Sequence, residues 1–360
     1  MRLLALTKYD MLAAATRQRF RLYEPALNAA GFSVDYAPLL ENSHVSGLTS
    51  GRRTSVAGLA RAYAARMHEL ARAGRYDGLW VHYELFPFLP GLFERLAGLH
   101  GQPLIVDYDD ATFDYYAHSR SPLVRYLLGR KLEPLLRGAT ACCCGNAYIK
   151  AYTERFCDQS TILPTVVDTN LYLPASKRPD RPITIGWIGS PSTYVLVPPL
   201  LPLLRDLAAQ RGVRVRVVGA GKAAERDQFA GLDLVEWSEA SEIADVQAMD
   251  IGIMPLQDLP FQRGKCGYKL IQYMACGLPV VASPVGVNAA IVDDGVTGLL
   301  AIDLDQWRDA LNRLIDDADL RAALGQAGRR RAVEDYSLDA HAPRLVEVIR
   351  GAVAKGRTSR

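Results

Sequence analysis

The stretch "RGKCGYKLIQYMACGLPVVASPVG", Arg263 to Gly286, decides how the chain is read. It runs as a polar loop, a short helix, a Gly stop, a buried strand and a second Gly-ended loop. A four-to-eight residue apolar run such as "LPVVAS", bounded by turn residues, is the mark of a strand covered on both faces. Within the helical part, Lys265, Lys269 and Gln272 stand four and three residues apart, which places them on one polar face of a helix over 265–276. A helix resting on a buried strand turns such a face to water or to a ligand, and two cations with one amide suit a phosphorylated one.

Outward from this stretch the same unit repeats. Short apolar runs at 2–7, 33–39, 78–83, 103–108, 140–145 and 161–163 alternate with helical patterns. A second series follows at 183–189, 214–219, 232–237, 251–255, 278–283 and 298–301. Such alternation predicts two α/β domains, each a doubly wound parallel sheet with helices on both faces. The aperiodic, Pro-rich segment 164–182 reads as a linker between them. The expected division is an N-terminal domain over 1–165, a C-terminal one over 166–335, and a last helix over 336–360, capped by Ser337, returning toward the first domain. A cleft then lies between the carboxyl ends of two sets of strands, where doubly wound sheets bind ligands.

The 360 residues are 49% apolar and 22% charged, with a net charge of +3. So small an excess argues against nucleic acid as a partner. It is unevenly placed: residues 1–165 hold 19 Lys/Arg against 15 Asp/Glu, and residues 166–360 hold the remaining 23 against 24. The six cysteines lack C-x-x-C spacing and read as buried thiols of a reducing compartment. With "MRLLALTKYD" showing no secretory pattern and no 18-residue apolar window, the expectation is a cytoplasmic protein that does not span a membrane. In the helical segments 52–75 and 120–137, Arg is set among Leu, Val and Tyr. They are either solvated outer faces or a peripheral contact with the anionic inner face of the membrane.

Several short motifs carry possible chemistry. "VVGAGKAAE" (217–225) has the shape of a dinucleotide fingerprint, but it follows the second strand of its series, so it reads as a tight turn. "GWIGSPSTY" (186–194) puts Gly189, Ser190, Ser192 and Thr193 at a strand-to-helix turn, a ready phosphate cradle or an ordinary cap. "DYDD" brings Asp109 and Asp110 to the cleft as carboxylates that orient or deprotonate a substrate, hold a metal, or cap a helix. His82 and Glu84, at the end of another strand, face the cleft or the core.

Residues 272–300, "QYMACGLPVVASPVGVNAAIVDDGVTGLL", closely resemble the hallmark of retaining glycosyltransferases of family 4, which have the GT-B fold. Those proteins run E-x7-E-A-M-A-x-G-x-P-V-V-A-S and then I-V-x-D-G-x-x-G-L-L. "TVVDTNLYLP" (165–174) resembles the lead-in to their C-terminal domain. The resemblance implies a nucleotide-sugar donor held by the C-terminal domain and a glycan or lipid-linked acceptor held by the N-terminal one, with no cofactor and no metal. It places base and ribose near Trp237, Ser238 and Gln272, and the diphosphate on the 189–193 loop, the turn at Gly286 and Lys265 or Lys269. Asp109 or Asp110 stands where the family has a histidine. Gln272 and Gly264 replace the two glutamates, and the usual Arg and Lys after the first strand of the C-terminal domain are missing. A Gly at 264 suggests room for an unusual donor sugar. Other readings of the same residues are a non-catalytic relative that binds a nucleotide-sugar or glycan, or an epimerase or phosphorylase on this fold.

Overall fold

The computed structural model describes residues 1–49, 55–175 and 181–358. Residues 52–54 of the first basic segment and 176–180 of the linker therefore lie outside the described residues. Twelve strands form two six-stranded parallel sheets. The first contains β1 (Arg2–Leu6), β2 (Ser33–Tyr36), β3 (Gly78–His82), β4 (Leu104–Tyr108), β5 (Ala141–Cys144) and β6 (Ser160–Ile162). The second contains β7 (Thr184–Ile188), β8 (Arg214–Val218), β9 (Leu232–Val235), β10 (Ile251–Met254), β11 (Val280–Ala282) and β12 (Leu299–Leu300). Strand order is β2-β1-β3-β4-β5-β6 in one and β12-β11-β10-β7-β8-β9 in the other. Each order reverses once, between β1 and β3 and between β7 and β10, and those reversals open the crevices where doubly wound sheets take ligands.

The inner strands are the ones the apolar runs mark most clearly. β3, β4, β5, β7, β10 and β11 are buried at every position, as strands covered by helices on both faces must be. The edge strands β2 and β9 are half-buried, and each carries an Asp in its middle. The helix Leu338–Thr358 starts on a Ser337 cap, with Ala340 N–H donating to Oγ at 3.2 Å. Its Leu345, Ile349 and Val353 pack against Leu3, Trp80 and Ile105 of the first sheet. The segment before residue 176 is not loose, despite its composition. Val166 and Val167 are fully buried, and Val167 pairs with Leu338 and Tyr336 through backbone bonds.

Two expected elements shift. The helix predicted over 265–276 covers Tyr268–Ala275, because Gly267 takes a left-handed conformation (φ 67°) that ends any earlier helix. The helix expected from 193 breaks into Pro191–Tyr194, a single turn at 198–200 and Leu201–Arg211, where Pro198, Pro199 and Pro202 interrupt the hydrogen-bond ladder. All six cysteines are free and buried, and no described helix is long and apolar enough to cross a membrane.

Candidate active site

The two lobes meet at the carboxyl ends of β4 and β10, and a loop of the second is seated on the first. Asn146, which caps the helix Ala147–Thr153 through its Oδ1, donates from Nδ2 to the carbonyls of Gly264 and Lys265, each at 3.0 Å. The Cys266 thiol donates to the Asp109 carbonyl at 2.9 Å. A Cβ at Gly264 would lie 2.2 Å from that of Ala111, and one at Gly145 would lie 2.1 Å from the Cys266 sulfur. The expectation of free space at 264 is thus corrected. What fills the place of a side chain there is the backbone of the other lobe.

Across this seam Lys265 Nζ lies 3.0 Å from both oxygens of Asp110. Lys265 belongs to the loop before the helix, so it does not share a helical face with Lys269 and Gln272, as the spacing implied. Lys269 lies on the helix, with its ammonium 5.5 Å above the Trp187 ring and its Cε filling the space beside Gly189. No hydrogen bond or ion pair is made by its ammonium among the described residues. Burial, with Lys265 adding repulsion, brings Lys269 down to about 8, against a small opposing pull from Asp110.

Adjacent residues Asp109 and Asp110 have unlike surroundings. Asp109 Oδ1 accepts from the Tyr83 hydroxyl and lies 3.2 Å from His82 Nε2. Burial alone raises its carboxyl, but the bond and charge from His82, the Arg19 charge and the Tyr83 hydroxyl outweigh it and leave the group at about 2. Asp110 is raised, because burial and the neighbouring Asp109 outweigh Lys265. His82 itself is fully buried, stacked on Tyr83 at 3.7 Å. It acts through Asp109 rather than facing the cleft.

Other expected residues are used differently. Glu84 is fully buried between Lys131 (2.6 Å) and Lys8 (3.0 Å), with the Tyr116 hydroxyl donating at 2.8 Å. It is a structural post, not a cleft group. Gln272 is only 2% exposed, and its Nε2 donates to the Tyr172 hydroxyl (3.0 Å) and to Glu242 (2.9 Å). Glu242 also accepts from Trp237 Nε1 at 2.7 Å and from Arg17 of the first lobe at 3.5 Å. The Arg17 guanidinium covers the Trp237 ring at 4.8 Å. A carboxylate therefore does stand at the Gln272 position, brought from another helix. Ser238 Oγ bonds Ser241 as a cap. Ser190 and Thr193 form a capping box, and Ser190 Oγ lies 2.9 Å from Ser192 Oγ; at the end of β7 both serines are exposed and Thr193 is half-buried. Gly286 (φ 56°) lets its backbone pass Arg263, whose carbonyl oxygen would lie 2.4 Å from a Cβ there. The 217–225 motif forms a tight turn at Gly219 (φ 79°), against the Gly189 carbonyl.

Sequence reasoning missed Tyr83, Arg17, Glu242, Asn146 and Cys266. Only Asn146 carried a local signal, as a polar residue between a strand and a helix. Among the described residues no group of three or more His, Cys, Asp or Glu could hold a metal ion.

Residues 184–317 match the family described as Glycosyl transferases group 1. This segment is a group 1 glycosyltransferase domain. It comprises β7 to β12 and brings Lys265, Lys269 and the 189–193 loop to the cleft. The chain is similar to the D-inositol 3-phosphate glycosyltransferase of Corynebacterium urealyticum, 31% identical over 176 residues that cover 48% of this chain and 36% of that protein. The protein of the same description from Jonesia denitrificans is 33% identical over 190 residues, 51% of this chain and 39% of the relative. The chain thus spans well under half the length of these relatives. Among solved structures, sucrose-phosphate synthase from Thermosynechococcus elongatus superposes with a TM-score of 0.74 at 17% identity, covering 99% of this chain and 100% of that one. Anabaena HepE, solved with UDP-glucose, gives 0.73 at 14%, covering 97% and 99%. WaaG, a glycosyltransferase involved in lipopolysaccharide biosynthesis, gives 0.71 at 15%, again covering 97% and 99%. The fold is GT-B, with two Rossmann-like domains.

The seam generates a prediction. Gly264→Glu, which reinstates the family's carboxylate, is expected to abolish turnover rather than improve it, since Ala111 occupies the space. The lobes should separate, seen as a larger radius of gyration in small-angle scattering. A variant as compact and active as the parent would show that the seam yields at no cost.

Proposed function

We propose that the protein transfers a sugar, with retention, from a nucleoside diphosphate donor to an acceptor hydroxyl, without a metal. The observation that carries this reading is Lys269. It is a half-buried cation with no hydrogen-bonded anion among the described residues, set beside Lys265 and Gly189 at the end of β7 in a group 1 domain. A cation in that state lacks an anion, and a diphosphate supplies one. Its leaving oxygens gain negative charge in the transition state, where fixed cations in a dry cleft act most strongly. HepE binds UDP-glucose, which makes UDP the first nucleotide to test. The base and ribose would occupy the Trp237 and Gln272 region, reached when Arg17 moves off the ring.

Two carboxylates pushed in opposite directions divide the acceptor chemistry. Asp109, ionised at every working pH, orients the hydroxyl by accepting its hydrogen bond. Asp110, raised above the ordinary carboxylate value by burial and paired with Lys265, is the better placed of the two to take a proton. A binding protein without turnover would need neither carboxylate so placed.

We further propose that the first lobe makes peripheral contact with an anionic membrane. The helix Pro122–Leu128 exposes Leu123 (65%), Tyr126 (87%) and Leu127, with Arg120, Arg125 and Arg130 exposed around it. Apolar side chains outward and cations beside them suit an anionic interface. Lys131, which lies within the 120–137 segment, is buried on Glu84 and Glu94 and takes no part. Arg66 in the helix Val56–Arg72 is likewise buried, donating to the carbonyls of Thr7 and Ala37.

Affinity for UDP is expected to depend on Lys269 ionisation. With the free ammonium near 8 and a bound diphosphate favouring its charged form, affinity should hold below pH 8. It should fall as pH rises above that, by at most about tenfold per unit. Lys269→Ala should weaken UDP roughly tenfold to a hundredfold at pH 7, the scale of a charge-assisted bond, and should abolish the alkaline fall. Calorimetric titration from pH 7 to 9.5 checks both, and a variant matching the parent removes Lys269 from the site.

Asp109→Asn should lower turnover at least about a hundredfold while UDP affinity stays constant. Because Asp110 is raised, the acid limb of the rate profile should fall at a pH above the ordinary carboxylate value, and it should vanish in Asp110→Asn. A limb that persists there assigns it to another group.

Anionic vesicles should sediment the protein at low salt, neutral ones should not, and about 0.5 M salt should release it. The triple substitution Arg120→Ser, Leu123→Ser and Arg125→Ser should abolish the effect. Equal recovery on both lipids would leave the helix without a membrane role.

A further inference from the structure

Two bulky residues hold left-handed backbone in one short loop, "HYELFPFLP" after β3: Tyr83 at φ 64° and Phe88 at φ 61°. Such residues rarely adopt that conformation, and where they do the surroundings impose it. Here the imposing structure is a buried ion cluster. Glu94 accepts from the backbone N–H groups of Leu85 (2.8 Å) and Phe86 (3.3 Å). Lys131 bridges Glu84, Glu94 and the Phe86 carbonyl at 2.6, 3.2 and 2.7 Å. The Phe88 N–H donates to the Tyr116 hydroxyl at 3.2 Å, which itself donates to Glu84. All this fixation holds an aromatic ring out in solvent, for Phe88 is 56% exposed.

The ring does not stand alone. Phe88 meets Tyr115 edge to face (centroids 6.2 Å apart, 76° between planes), and Tyr115, 52% exposed, meets Phe261 of the other lobe in the same way (6.4 Å, 66°). The Lys265 ammonium lies 4.6 Å over the Phe261 ring while holding Asp110 at 3.0 Å. An apolar row therefore runs from the surface to the reactive carboxylates, built from both lobes. Rings set at steep angles make a ridged surface, unlike the open flat face that a pyranose stacks on. Leu259, half-exposed beside Phe261, adds aliphatic surface.

We propose that the row Phe88–Tyr115–Phe261 is an acceptor subsite for a hydrocarbon chain, so that the acceptor is an amphiphile whose hydroxyl-bearing end reaches Asp109 and Asp110. This rests on the glycosyl-transfer reading and names its acceptor class. Strain at Phe88 follows from it, since a chain-binding ring must stand where apolar packing inside the protein would not place it.

The test compares n-octyl β-D-glucoside, below its micelle concentration, with methyl β-D-glucoside by calorimetry on the full chain, without nucleotide. The octyl compound should bind with one site and at least tenfold more tightly, about 1.4 kcal/mol. Phe88→Asn and Phe261→Ser should each remove most of that preference. Asn tolerates a positive φ, so Phe88→Asn should unfold at a temperature no lower than the parent, which separates lost binding from lost fold. Equal affinity for the two glucosides, or an octyl preference that survives both substitutions, overturns the proposal. Equal weakening of both compounds makes the row a pyranose platform and overturns it as well. UDP titrated separately reports the donor reading, so failure of either leaves the other standing.

Discussion

Everything at the cleft depends on how closely residues 264–266 approach the end of β4. Three side chains are missing where the backbones pass: Gly264 against Ala111, Gly145 against the Cys266 sulfur, and Gly286 against the Arg263 carbonyl. A single Cβ at any of them would sit within 2.5 Å of a heavy atom, closer than packing allows. The contact is closed by backbone carbonyls with the donors that bind them, Asn146 and the Cys266 thiol. It sets the separation of Lys265 from Asp110 at 3.0 Å and so, in the proposed reaction, the distance between donor and acceptor groups. Transfer between two bound molecules is sensitive to that distance at the scale of an ångström.

The same contact explains the divergence of Asp109 and Asp110. They follow β4 directly, where the chain bends, and the bend turns the two side chains to different surroundings. Asp109 turns inward to His82, Tyr83 and the field of Arg19, all of which favour its charge. Asp110 turns to the cleft, where the seam shields it from water and only Lys265 favours its charge closely. One lysine is thus matched by a carboxylate and the other is not. The unmatched one, Lys269, loses proton affinity, because burial and the Lys265 charge outweigh the pull of Asp110.

Fold and site were legible in the sequence to different depths. Every strand-like run became a strand, because parallel strands covered on both faces must be apolar almost throughout, and few other structures write that pattern. Asp109, Asp110 and the 189–193 turn were placed at strand ends by the same logic, since strand ends in such sheets face the crevice. What failed were inferences about what lies opposite. Gly264 was read as room, though a glycine marks close approach as readily as space. Gln272 was read as facing a ligand, but Glu242, thirty residues earlier and on another helix, takes its amide. Glu84 reads as a cleft or a core residue, and its pairing with Lys131 puts it in the core. Local pattern sets an element and its buried face, while the partner across a lobe boundary leaves no local trace.

The cleft has a second closure, of a different physical kind. Arg17 and Arg21 of the first lobe face Glu239 and Glu242 of the second at 3.5–4.0 Å, and the Arg17 guanidinium lies over the Trp237 ring. Glu239 and Arg21 are each more than half exposed, so that pair is screened and contributes little, about 0–1 kcal/mol. The Arg17–Glu242 contact is buried but long, and Glu242 keeps Trp237, Tyr172 and Gln272 as partners when Arg17 leaves. Breaking this end therefore strands no carboxylate, whereas separating the 264–266 seam would break both Asn146 bonds to carbonyls, the Cys266 thiol bond to a third and the Lys265–Asp110 pair together. The lobes are held stiffly at one end of the cleft and loosely at the other. Motion at the loose end uncovers the Trp237 ring while the distance between Lys265 and Asp110 is kept.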